Sequence, residues 1–333
     1  MKERQFKCHE RFTLLKKYLE HSIRSCIIHN NYWEDEMKKY QIVIVAIFSI
    51  ISVFIMCGKE DARSPFQVIA LNDHVTAVLD GGGNSLVIKG DDGCIVVDAK
   101  GDDVADAFKK EIQSIAHQPV EYLVNTHWHA DHVAGNAVVG KGAVIVAHEN
   151  TRKHMAEGAE MTFFGGHRDP YGAAWQPDTT FGSRFVIENP FEDVALIHVG
   201  PGHTDGDVIV WLEKSNILQT GDIYFNGMYP YIGIEAGGAI NSMIERINEL
   251  LLEVDENTVI VPGHGPVSNQ DEMYDYSKML VGVRDAVQAL IDQGLNESDV
   301  IAAKPTKAFD DVWGKGFMKP DSFARLVYMD LSR

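Results

Sequence analysis

The sequence predicts an α/β protein in which two β-sheets pack face to face with helices on their outer sides. Three observations carry this reading: short apolar β-type runs come in two series, each series leads into a helical segment, and polar residues able to bind metal stand where runs end. In the first series VTAVL (75–79), NSLVIK (84–89) and CIVVDA (94–99) are separated by GGG (81–83) and GDDG (90–93), which reads as an antiparallel meander. The stretch 102–117 then spaces Val104, Phe108, Ile112 and Ile115 for one helix face, with Asp102 or Asp103 near its start. A strand EYLVNT (121–126), a helix after Asp131, a strand AVIVAH (143–148) and a helix near 149–157 follow. Residues 158–182 are rich in Gly, Pro and aromatics without a clear period, the pattern of a lid or binding loop. The second series runs through DVALIHV (193–199), DVIVWL (207–212) and NILQT (216–220), then a helix at 239–254, the strand NTVIVPG (257–263) and a helical end from about 270 to 333.

The first sixty residues break this pattern. Ile42 to Met56 is an uncharged apolar run of 15 residues, short for a spanning helix and of the length of a signal-peptide core. The basic stretch Met37-Lys38-Lys39-Tyr40 precedes it, and Cys57-Gly58-Lys59 follows. Met37 therefore reads as the start, and residues 1–36 as an upstream extension. FIMC (54–57) resembles a bacterial lipobox, in which Cys57 would be acylated, and an uncleaved membrane anchor is the other reading of 37–57. Both send the body out of the cytoplasm, to the periplasm, attached to a membrane through a lipid or a helix, with 58–65 as linker. Cysteine usage agrees, because only Cys94 lies in the body and no disulfide can form within it.

Charge narrows the partners. The chain carries a formal net charge of −18, with 30 Lys+Arg against 48 Asp+Glu, and the acid is concentrated after residue 60. Such a body repels a phosphate backbone, so nucleic acid is not an expected partner and a small-molecule substrate is.

The chemistry-bearing residues stand at strand ends. Directly after EYLVNT comes His127-Trp128-His129-Ala130-Asp131-His132, four metal-ligand side chains within six positions. Two imidazoles at i and i+2 on a tight loop can converge on one ion, while Asp131 and His132 open the next helix and point toward a second. His203 in GPGHTDGD, Asp222 in QTGD and His264 in VPGHGP occupy the same kind of junction, and neutral imidazole with carboxylate suits Zn²⁺. One histidine at a strand end is ordinarily a solvated side chain, but the coincidence of four such junctions points to metal. His74, His117, His148, His154 and His198 lack this setting and read as structural or surface residues.

HWHADH, GHTDGD, TGD and VPGHG, in this order, resemble the metallo-β-lactamase superfamily of binuclear zinc hydrolases, over about residues 66–270. The run GDIYFNGMYPYI and the tail AAKPTKAFDDVWGKGFMKPDSF resemble an exported bacterial branch of metallo-hydrolases. The resemblance implies a four-layer αββα sandwich with the metals at one edge of the sheets, and residues 271–333 as a helical extension packed on that domain. It further implies two Zn²⁺ ions, one held by His127, His129 and His203, the other by Asp131, His132 and His264, with Asp222 bridging them. A hydroxide shared by the ions would be the nucleophile and Asp131 would orient it.

The substrate is less sharply marked. In one subset of dedicated β-lactamases a Cys stands where Asp222 aligns, usually followed by a Lys that pairs with the drug; here Ile223, Tyr224, Phe225 and Asn226 follow. Asp222 is more like the lactonase, glyoxalase II and arylsulfatase branches, and no basic glutathione site is visible. The expectation is hydrolysis of a small ester, lactone or amide, including a β-lactam, with Tyr224, Tyr229, Tyr231, Trp175 and His167 toward the substrate, among a wider aromatic group that includes Phe163, Phe164 and Tyr171. The alternatives are a metallo-β-lactamase proper and a non-catalytic, anchored zinc-binding module.

Overall fold

Alternation along the strands decides the layers. In the computed structural model, which describes residues 64–333, strands β1 (Gln67–Ala70), β2 (Val75–Leu79), β3 (Ser85–Lys89) and β4 (Cys94–Val97) form an antiparallel meander. Ala77, Leu86, Ile88, Ile95 and Val97 project from one face, and Val78, Val87, Cys94 and Val96 from the other. Both faces of β2, β3 and β4 are buried, so these strands read as nearly continuous apolar runs, whereas the edge strand β1 is largely exposed. The outer face is covered by helix α1 (Ala105–Ala116) through Phe108, Ile112 and Ala116. Residue 104 rather than Asp102 or Asp103 caps this helix, without a side-chain bond.

Crossovers extend the sheet in parallel. Strand β5 (Val120–Asn125) lies beside β4, and the short helices α2 (Ala130–Val133) and α3 (Asn136–Val139) lead to β6 (Val144–His148) beside β5. Helix α4 (Glu149–Glu157) follows. The stretch 158–182, expected to be irregular, contains a two-stranded hairpin of β7 (Ala159–Glu160) and β8 (His167–Arg168), and then β9 (Thr179–Phe181), which completes the seven-stranded sheet against β6. Strands of two and three residues are too short to leave a periodic signature, which is why the sequence pattern hides them.

The second sheet has five strands: β10 (Arg184–Ile187), β11 (Val194–His198), β12 (Val208–Leu212), β13 (Ile217–Gln219) and, after helix α5 (Ile240–Glu253), β14 (Val259–Val261), parallel to β13. Val194, Leu196, Val208, Val210, Leu212 and Val261 meet the inner face of the first sheet in one shared core. The outer face, with Ile209, Leu218 and Ile260, is covered by α5 and by α6 (Gln270–Asp292) and α9 (Pro320–Leu331), so the order of layers is αββα. Helices α7 (Glu297–Ala302) and α8 (Asp310–Trp313) connect the last two.

Residues 64–333 form one compact unit. The expected extension 1–36, the leader or anchor 37–57 with Cys57, and most of the linker 58–65 lie outside the described residues. No helix among the described residues is long and apolar enough to cross a membrane. Cys94 is buried in the sheet, as a small core residue, and burial pushes its thiol up to about 11.

Candidate metal centre

Each predicted ligand sits just beyond a strand, where the ladder ends and a tight loop turns the side chain over the sheet edge. His127 and His129 follow β5, and His129 caps α2, which carries Asp131 and His132. His203 lies in the loop after β11, Asp222 in a single 3₁₀ turn after β13, and His264 in the loop after β14. The close approach leaves no room for side chains behind the ligands: a methyl on Gly83 would collide with the His132 ring, and one on Gly263 with the Asp222 carboxylate.

The seven side chains meet as two touching groups. His127 Nε2 and His203 Nε2 lie 3.1 and 2.7 Å from His129 Nδ1. Asp222 Oδ2 is 3.7 Å from His127 Nε2 and 3.5 Å from His203 Nε2. In the other group His264 Nε2 is 3.2 Å and His132 Nε2 3.8 Å from Asp131 Oδ2. Asp222 belongs to both, with Oδ1 3.1 Å from His132 Nε2 and Oδ2 3.5 Å from His264 Nε2. A carboxylate thus stands between the two triads, where the resemblance to the metallo-β-lactamase superfamily implies a bridging ligand.

The ring tautomers are set from behind. His203 Nδ1 faces the Tyr231 carbonyl oxygen at 2.9 Å, which can only accept, so the ring turns a lone pair on Nε2 toward the centre. His132 Nδ1 faces Asp98 Oδ2 at 2.8 Å, and His127 Nδ1 faces Thr126 Oγ1, whose own proton goes to Asp98. Asp98 also accepts from the Thr126 backbone N–H. Behind the other loop, Asp207 accepts from the backbone N–H groups of His203 and Thr204 and from the Thr204 hydroxyl. Burial raises its carboxyl to about 7 against those bonds.

Charge in the cluster divides into two classes. Burial lowers His127, His129 and His203, reinforced by neighbouring histidines, so three neutral rings face one another. Burial opposes charge on His132 and His264 as well, but the surrounding carboxylates, Asp222 first, outweigh it and raise both, His264 to about 9. Burial would raise Asp131 and Asp222, and the histidines override it and hold both carboxyls well below the usual range. Once His132 and His264 give up their protons, as metal ligation requires, two carboxylates stand among five neutral imidazoles in a largely buried space, an arrangement that calls for cations.

The donor set fits metal ions on its own terms. His132 Nε2 and Asp222 Oδ1 are buried and 3.1 Å apart, yet neither is aligned for a hydrogen bond with the other or with any other group, a costly state unless something else is bound there. Nitrogens around one tetrahedral zinc at its usual bond length would be about 3.3 Å apart, close to the 2.7 and 3.1 Å found. Two groups of side chains, His127, His129, His203 and Asp222, and Asp131, His132 and His264, have ligand atoms all within 4.8 Å of one another.

Above the cluster opens a cavity of about 540 Å³. Its floor includes His129, Asp131, Asp222 and His264, and its walls include Phe164, Phe225, Met228, Tyr231 and Phe317. Of the aromatics expected to face substrate, Tyr229 and Tyr231 line it, with their hydroxyls turned away to Thr306 and Asp310 and to Glu235. Tyr224, Trp175 and His167 do not, which corrects the expectation. Tyr224 is wholly buried, its hydroxyl against Ser268, because the residue packs inward against α6. Trp175 donates to the Ala134 carbonyl and packs on Trp128 and Val133. His167 points to solvent and pairs with Glu160.

Several residues carried too little signal. Asp98 follows the apolar run CIVV, the same strand-end setting that marks Asp222, and the rule that singles out Asp222 applies equally to it. Lys100, two residues on, is fully buried, donating to the carbonyls of Val78 and Gly83 at 2.7 and 2.6 Å. Both residues take a left-handed backbone, φ 61° and 67°, which sharpens the turn at the strand end. The five histidines set aside are not at the centre. His154 pairs with Asp205 and His74 with Glu192, while His148 and His198 stack at 3.6 Å.

Two mixed sheets between helix layers, with a His/Asp cluster at one edge, define a metallo-hydrolase-like protein. The model of the "Metallo-beta-lactamase superfamily" matches residues 78–264, and the chain belongs to that superfamily. It is 26% identical over 197 residues to a metallo-beta-lactamase type 2 of Bacillus cereus, which covers 56% of this chain and 68% of the relative. It is also 26% identical over 202 residues to the probable metallo-hydrolase YqgX of Bacillus subtilis, covering 60% of this chain and 92% of the relative. A metallo-beta-lactamase from Pontibacter korlensis shares the fold with a TM-score of 0.55 and 24% identity, over 65% of this chain and 98% of that one. The sec-alkylsulfatase Pisa1 from Pseudomonas sp. does so with 0.61 and 14%, over 79% and 50%.

Proposed function

We propose that this chain is a binuclear zinc hydrolase that opens an ester, lactone or amide bond of a small molecule. The observation that carries the reading is the meeting of the seven side chains beneath an apolar cavity, with two of their buried polar atoms in no aligned hydrogen bond. His127, His129 and His203 would hold one ion, Asp131, His132 and His264 the other, and Asp222 would bridge. Bound zinc would supply a water acidic enough to attack at neutral pH and a Lewis acid for the carbonyl oxygen.

The chain's own residues do the rest. The Asp131 side chain is about two-fifths exposed and lines the cavity, so its carboxylate can accept a hydrogen bond from the attacking water and orient it. Asp98 and the Tyr231 carbonyl keep His132 and His203 in the tautomers that present lone pairs inward. The apolar walls exclude bulk water and hold the substrate's hydrocarbon part. Water adds its oxygen to the carbonyl carbon, the C–O or C–N bond breaks, and the proton ends on the leaving oxygen or nitrogen.

The test is a panel on zinc-loaded protein: a chromogenic lactone, an aryl ester and a chromogenic cephalosporin, with and without chelator. Chelator-sensitive turnover of at least one supports the proposal, and cephalosporin as the best substrate would favour a metallo-β-lactamase proper. Two bound zincs with no turnover on the whole panel would instead favour a zinc-binding module.

Membrane attachment and export remain part of the proposal, resting on the basic-apolar-Cys pattern of 37–57. N-terminal sequencing of membrane-fraction protein tests them: a mature chain starting at Cys57 supports the lipoprotein reading, and a chain starting at Met37 the uncleaved anchor.

A further inference from the structure

The hairpin over the cavity carries an unusual arginine. Among the described residues four arginines are half-buried: Arg168, Arg246, Arg284 and Arg325. Arg246 pairs with Glu245 and Glu249, Arg284 with Asp285, and Arg325 with Glu297. Arg168 has no carboxylate within 4.0 Å among the described residues, although the chain is strongly acidic, and its contact is the Tyr171 hydroxyl, which accepts from Nη1 at 3.1 Å. A half-buried guanidinium left without an anion is a site prepared for one, because burial weakens its hydration and its planar fork matches a carboxylate.

Strand alternation explains where it points. In the hairpin His167 pairs with Glu160 and Arg168 with Ala159, and successive side chains face opposite sides. His167 and Glu160 therefore meet on the solvent face. Arg168 falls on the other face and lines the cavity, the sole Arg or Lys to do so among the described residues. Phe164, at the hairpin's turn, lies 5.0 Å from the Tyr231 ring and 5.9 Å from Phe317, so an aromatic wall stands over the same cavity.

We infer that Arg168 is a specificity-determining residue which selects substrates carrying a free carboxylate beside an aromatic or other apolar body, a step that rests on the hydrolase reading above. The carboxylate is held by the guanidinium on the hairpin, the apolar body lies among Phe164, Tyr231, Phe317 and Met228, and the bond to be cleaved sits over the His/Asp floor. This cation comes from the segment 158–182 and not from the residues following Asp222, where none is present.

Two arms test it on zinc-loaded protein. In the first, two 4-nitrophenyl esters of matched size are compared, one with a carboxylate on the acyl chain and one with a carboxamide. Arg168→Gln is expected to raise KM for the carboxylate ester about tenfold or more, with kcat within about twofold and the carboxamide ester unaffected, and Arg168→Lys to restore part of the loss. In the second arm calorimetry measures binding of 3-phenylpropanoate and 3-phenylpropanamide, which needs no turnover. The wild type is expected to prefer the anion and Arg168→Gln to lose that preference, whether or not either ester is cleaved. Absence of turnover with the anion preference intact would therefore count against the hydrolase reading alone. An anion affinity equal in wild type and Arg168→Gln, or an equal loss for charged and neutral probes, overturns the role of Arg168.

Discussion

At the scale of single residues, the centre works by what stands behind it. Asp98 accepts from His132 and from two donors of Thr126, so Asp98→Asn leaves shape almost intact while removing the anion that fixes the ring. The expected outcome is a zinc affinity lower by about 10- to 100-fold, measured by competition with a chromogenic chelator. Asp131→Ala should lower zinc stoichiometry from two to one and kcat/KM by about a thousandfold or more, with an unchanged circular dichroism spectrum, and retained activity would contradict its role. Lys100 adds a pH dependence of stability. Burial lowers its pKa from 10.5 to about 7, and the carboxylates of Asp98, Asp80 and Asp131 recover only part of that. Between those values the unfolded chain holds a proton that the folded one has released, so this group makes stability rise with pH. In chelated protein His132 and His264, raised in the folded state, act in the opposite direction over the same range, so the contribution of Lys100 is read by difference: between pH 7 and pH 9 the stability from urea unfolding should change in a more favourable direction in the wild type than in Lys100→Met, and equal changes in the two would contradict its role.

At the scale of elements, strand ends were legible and short strands were not. The apolar runs before His127, His203, Asp222 and His264 are strong periodic signals, and the residue that follows each is where the ladder must end. The hairpin 159–168 is different: its strands have two residues each, and tertiary contacts place it. Arg325 of α9 donates to the Phe163 carbonyl and lies 5.1 Å over the Phe163 ring, tying the hairpin to the last helix. Tyr229 was visible as an aromatic, but only the packing reveals that Phe323 stacks on its ring and that Asp310 and Thr306 take its hydroxyl. Tyr224, Trp175 and His167 were misplaced for the same reason, since composition marks a residue as aromatic or basic and only its neighbours decide which way it faces. Arg325→Ala should raise KM several-fold with little change in kcat, because it frees the hairpin without touching the floor of the cavity; a large loss of kcat would show that the tie also shapes the metal site.

At the scale of the whole molecule, the metal-free fold stores opposed charges that ions would replace. His264 stays protonated up to about 9 with Asp222 and Asp131 beside it, and a ligand ring must be neutral. Zinc must therefore displace protons, so its affinity should rise with pH toward 9 and fall in acid, with proton release detectable by calorimetry in buffers of different ionisation enthalpy. Because ligands from both sheets are joined at one edge, binding should also stabilise the entire unit, by about 2.7 kcal/mol at a hundredfold excess over Kd. An unchanged melting temperature on chelation would show that the two sheets do not depend on the ions for their union.

The most direct measurement is anomalous diffraction at the zinc edge from crystals of the zinc-loaded protein. Two peaks are predicted, the first about 2.0–2.1 Å from ring nitrogens of His127, His129 and His203, the second among Asp131, His132 and His264, with Asp222 reaching both. A map with zinc elsewhere, or with His203 or His264 turned away from the ions, would contradict the account.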